Sequence, residues 1–156
     1  MRASAHDQRP DSPLRRMLLA LVLLGAAGLL AELGLLEHFD SWTQWIPLVL
    51  LVIVLGAVIA VGMRHTPGAV RFFQVMMALC VVMGVVGVVL HYQGNMEFEL
   101  ERDGSLGGLR LFWEAIRGAT PSLAPGALSQ LGLLGLAYAY RHPALRASTS
   151  PSSEES

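Results

Sequence analysis

No charged side chain interrupts the chain between Ile46 and Met63, nor between Met17 and Ala31. Runs of this length decide the medium before they decide the fold. A hydrocarbon core about 30 Å thick is crossed by about 20 helical residues, and in lipid an open helix is the one single-segment structure that pairs its own backbone N–H and C=O groups. A buried helix of a soluble protein would keep a polar face, and these segments have none.

Four segments meet the test, at about 14–36, 46–63, 69–90 and 124–140. Glu32 interrupts the first near its end, and Gln74 and Gln130 are the strongly polar residues of the third and fourth. Pro47 falls in the first turn of the second segment, where a missing N–H does least harm, and Thr66-Pro67 supplies an N-cap and first helical position for the third. Thr120-Pro121 can start the fourth early, at the cost of a second proline at Pro125. The expected fold is therefore an all-α membrane protein. It is a four-transmembrane-helix bundle over residues 14–143, between disordered cytoplasmic tails at 1–13 and 144–156 that are rich in Ser, Pro and charge. A cleavable leader, with Met17–Leu24 as its apolar stretch and Gly25-Ala26-Ala27 as its cleavage site, is the rival reading of the first segment. The apolar run continues to Leu36, which suits a retained anchor.

The composition agrees: 53% of the 156 residues are hydrophobic and 15% charged, against about 25% charged in ordinary soluble domains. A formal net charge of −1 argues against a nucleic-acid binder, which needs a basic surface to neutralise phosphates. Cys80 is the single cysteine, so neither an internal disulfide nor a cysteine-based zinc site forms within one chain. Arg2, Arg9, Arg15 and Arg16 precede the first span, Arg64 and Arg71 flank the loop between the second and third, and Arg141 and Arg146 follow the fourth. The segment Glu37–Trp45 has no basic residue. The positive-inside rule then puts both termini in the cytoplasm, in what is expected to be a bacterial inner membrane. Arg102, Arg110 and Arg117 fall outside, beside Glu97, Glu99, Glu101, Asp103 and Glu114. Trp42 and Trp45 suit the outer interface, and Tyr138 and Tyr140 the inner one.

The outer loop, 91–123, is expected to be structured. Met96–Glu101 alternates strictly and is followed by Asp103-Gly104, the pattern of a short strand with a turn. Leu106, Leu109, Phe112, Trp113 and Ile116 then share one face of a short amphipathic helix, with Arg110 and Glu114 on its polar side.

Candidate chemistry is sparse. Gly25, Gly28 and Glu32 in the first span recur in spacing as Gly84, Gly87 and His91 in the third, so each helix carries a small-residue packing face that ends in an ionisable group. Ionisable groups within spans face protein or a water-filled cavity, which makes Glu32 and His91 the candidate polar intramembrane site, with Glu32 turned into the bundle. His38, Asp40 and Glu97 would form an outer-side metal or proton site if the loops assemble, the metal itself being unspecified. No phosphate loop, dinucleotide fingerprint, nucleophile elbow or zinc-protease motif is present, so no enzymatic apparatus is visible and no cofactor is named. The expected function is a non-enzymatic accessory or interaction protein that packs with itself or with a larger membrane partner in the lipid bilayer. The alternative is a small transporter, or a metal- or proton-handling protein, working through Glu32 and His91.

Overall fold

The structure, a computed structural model, describes residues 12–37, 41–118 and 123–147. They form six helices: α1 (Pro13–Leu35), α2 (Trp45–Met63), α3 (Pro67–Arg102), α4 (Gly108–Ile116), α5 (Gly126–Ala139) and α6 (Pro143–Ala147). Three of them, α1, α2 and α3, are long and apolar enough to cross a membrane, and α5 is a shorter apolar helix. The described residues are thus all-helical, and the chain is an integral membrane protein.

Local sequence explains the helix starts. Ser12 caps α1 by accepting from the Arg15 N–H at 3.4 Å, ahead of Pro13 at the first position. Thr66 does the same for α3, accepting from the Ala69 N–H at 3.3 Å, with Pro67 next. At the other ends, α1 and α5 stop at Glu37 and Arg141, both at positive φ, the left-handed turn that releases a helix.

One expectation fails. Met96–Glu101 is not a strand, and residues 91–102 are not loop: they are the last three turns of α3, whose 36 residues rise about 54 Å against a hydrocarbon core of about 30 Å. Met, Glu and Leu are all strong helix formers, and Glu99 and Arg102 close an ion pair of 2.7 Å at i, i+3. A period of two over six residues is too short to overrule a helix already running into it. The amphipathic helix expected after this segment is α4. The tail expected from residue 144 begins instead with α6. The tail residues 1–11 and 148–156 lie outside the described residues.

The chain divides into two compact units, Met1–Leu79 with Leu131–Ser156, and Cys80–Gln130. In the first, α1 buries Val22 and Ala26, while α2 buries Leu50, Leu51, Val54, Ala57, Val58 and Val61. Lipid tails are as apolar as these side chains, so close fit rather than escape from water holds such helices together. Small residues provide the fit. A Cβ at Gly135 would run into Met77 and meet the Phe73 ring at 3.1 Å, and one at Gly25 would come within 2.9 Å of Leu131. Phe73 and Tyr138 meet edge to face at 5.4 Å. In the second unit, a Cβ at Gly84 would strike Ser129 and the Pro125 carbonyl, and one at Gly87 would come within 2.7 Å of the Pro125 ring. That close approach lets the Ser129 hydroxyl donate to the Val81 carbonyl at 2.9 Å, a hydrogen bond between α5 and α3.

Candidate functional site

Glu32 is exposed on α1 within the single chain, so it does not turn into the bundle as expected. Gly28, one turn earlier, also faces open space: a Cβ there would meet nothing within 4 Å. The two form part of a broad uncovered surface, because α1 buries so few of its side chains. His91 is half-buried on α3 and Glu97 is exposed there. Glu32 belongs to the first unit and His91 to the second. His38 and Asp40 lie outside the described residues, and among the described residues no three His, Cys, Asp or Glu side chains gather as metal ligands would. An open groove of about 370 Å³ runs past Trp42, Trp45, Ile46, Val49, Ile53, Met76 and Leu79; apolar and aromatic side chains line it and offer no reactive group.

Two polar assemblies emerge that the sequence does not announce. The first lies where α5 ends. The Arg15 guanidinium, from the first turn of α1, donates to the Tyr138 carbonyl at 2.6 Å and reaches the Tyr140 and Arg141 carbonyls at 3.4–3.5 Å. It thereby satisfies the open C=O groups of the last turn of α5 and opposes the negative end of its dipole. Arg141, beyond them, turns left-handed and sends His142 back into the protein, where it is fully buried. The His142 Nδ1 accepts from the Ala144 N–H at 3.3 Å and so caps α6, which leaves the proton on Nε2, 3.5 Å from the Tyr138 hydroxyl. The exposed His65 ring stacks on it at 6.0 Å. Burial, then the Arg15 charge, then His65 hold the His142 imidazole down to about 4 from an ordinary 6.5, so it is neutral near pH 7.

The second assembly joins α4 to the last turns of α3. Asn95, buried, donates from Nδ2 to the Ala115 carbonyl at 3.0 Å near the end of α4, and Gly118 packs directly against its side chain. Tyr92 meets Phe112 at 5.9 Å, and Phe112 meets Trp113 at the same distance. Between the helices, Asp103 accepts from both the hydroxyl and the N–H of Ser105, at 2.6 and 3.0 Å. Those bonds, with Arg110 and Arg102 nearby, hold its carboxyl below the ordinary carboxylate value.

The chain matches no protein-family model, no curated protein and no solved structure. Chemically it offers caps, close helix crossings and exposed apolar faces.

Proposed function

We propose that this protein is a non-enzymatic membrane interaction protein, an accessory subunit or self-associating unit whose uncovered α1 face packs against another chain. The observation that carries the reading is the exposure of Glu32 beside the open surface at Gly28, on a helix that its own chain covers only along one narrow stripe. At the centre of a span a charged carboxylate costs about 2.5–3.5 kcal/mol on insertion scales. Glu32, in the last turn of α1, bears a smaller part of that cost, and small residues beside it let a second helix come close enough to cover it. In this reading α5 is the fourth crossing. Its 14 residues rise about 21 Å, and the turn at residues 123–125 and the close of the helix near Tyr140 extend it toward both interfaces. Both termini face the cytoplasm of a bacterial inner membrane, following the arginine bias.

The test is a photo-crosslinking amino acid placed at Ala27 or Ala31, both exposed on α1, in native membranes. Discrete protein adducts, either a second copy or another chain, are expected at these positions. Adducts with lipid alone at both would overturn the proposal.

A further inference from the structure

Exposed Val82, Val85, Val89 and Leu90 carry an apolar surface along α3, and at Leu90 the apolar run ends, giving way to His91, Tyr92, Gln93 and Asn95. At 1.5 Å per residue, Tyr92 stands about 3 Å beyond that point and Asn95 about 7.5 Å. The headgroup layer of a leaflet is about 5–8 Å deep. The two contacts that hold α4 fall within this one turn of α3: Phe112 against Tyr92, and the Ala115 carbonyl on Asn95. Hence the second half of α4 is fixed at headgroup depth, although the chain reaches it only after α3 has run on to Arg102.

The side chains of α4 suit that depth. Leu109, Phe112 and Trp113 are all exposed, with Leu109 78% uncovered, and with Ile116 they follow the i, i+3, i+4, i+7 spacing of one helix face. Leaving such a face in water wastes its burial, whereas aromatic rings favour the boundary between acyl chains and headgroups. The apolar face is continuous in depth with the exposed stretch of α3. Charge selects among lipids. Glu97, Glu99, Glu101, Asp103 and Glu114 outnumber Arg102, Arg110 and Arg117 in this segment, so an anionic surface offers no attraction and burial of the rings must supply the binding.

We propose that α4 is an interfacial foot, with Leu109, Phe112 and Trp113 seated in the headgroup layer of the leaflet where the apolar part of α3 ends. The foot fixes how far α3 slides through the bilayer and holds the polar last turns of that helix in water. This is independent of what covers α1.

Trp113 reports on the proposal directly once Trp42 and Trp45 are replaced, as W42F and W45F, leaving one tryptophan in the full chain. The protein is placed in nanodiscs of zwitterionic lipid, with and without bromine on the upper acyl carbons. The expected result is blue-shifted Trp113 emission that brominated lipid quenches, that aqueous iodide quenches weakly, and that is unchanged when anionic lipid is added. Quenching by iodide without quenching by brominated lipid would place the helix in water and overturn the proposal. Protection from both quenchers would mean that protein covers the face, and would overturn it equally. Should the double replacement misfold, a nitroxide on L109C in a C80A background gives the same answer, from oxygen against aqueous nickel accessibility.

Discussion

Acidification should destabilise the first unit through His142, and the size of the effect follows from its surroundings. The imidazole is fully buried, its Nδ1 is committed as an acceptor to Ala144, and Arg15, His65 and Tyr138 are the titratable or charged groups that face it. Protonation would cost the Ala144 bond and bring a second positive charge toward Arg15. With a folded value of about 4 against an ordinary 6.5, the neutral form is favoured by folding. The stabilisation is fully present above pH 6.5 and disappears as pH falls from 6.5 toward 4. Evaluated between pH 7.5 and pH 5, that difference is worth about 2 kcal/mol, from about 1.36 kcal/mol per pH unit. Denaturant unfolding of the detergent-solubilised protein, followed by tyrosine and tryptophan fluorescence at the two pH values, measures it. His142→Asn keeps an acceptor for the Ala144 N–H and removes the titration, so its stability should change far less over the same range, and His65→Asn separates any part due to the stacked ring. A wild-type stability that is flat from pH 7.5 to 5, or a slope that survives His142→Asn, would show that His142 does not titrate between the folded and unfolded states in this way.

Gly84→Val should loosen the crossing of α3 and α5 by about 1–3 kcal/mol, because the new side chain must displace Ser129 and the Pro125 backbone; the lowered unfolding midpoint in detergent reports it. Gly28→Val, with open space around it, should leave that midpoint unchanged. Asn95→Ala strips the buried Ala115 carbonyl of a donor and should cost about 1–3 kcal/mol, most of it local, seen as faster amide exchange in α4 while α2 is unaffected.

What the sequence made legible was whatever a single residue's chemistry decides without a neighbour. The apolar runs put α1 and α2 within a residue of their observed ends, and Thr66-Pro67 marked the start of α3, because lipid solubility and capping are local properties. The end of α3 was hidden. Met96–Glu101 alternates like a strand yet consists of helix formers, and only the packing of Asn95 and Tyr92 under α4 shows which tendency prevails. Glu32 was expected inside because a charge in a span seeks protein; within the single chain it is exposed, and no local pattern in the sequence distinguishes the covered stripe of α1 from its open face. The Arg15 clamp on α5 joins residues more than a hundred positions apart, and nothing in either local sequence foreshadows it. His142 gave one usable signal, a histidine followed by proline just past an apolar helix, but its burial depends on the left-handed turn at Arg141.

If this chain works by association within the membrane, the mass of the particle it forms there must exceed that of one chain. Native mass spectrometry of the protein, drawn from its own membranes into polymer-bounded discs without detergent, should show species heavier than the 16.8 kDa chain by a second copy or by another protein. Glu32→Leu should shift that population. A single species of one chain with lipid alone, unchanged by the substitution, would mean that the protein acts as a monomer and that its α1 face meets only lipid.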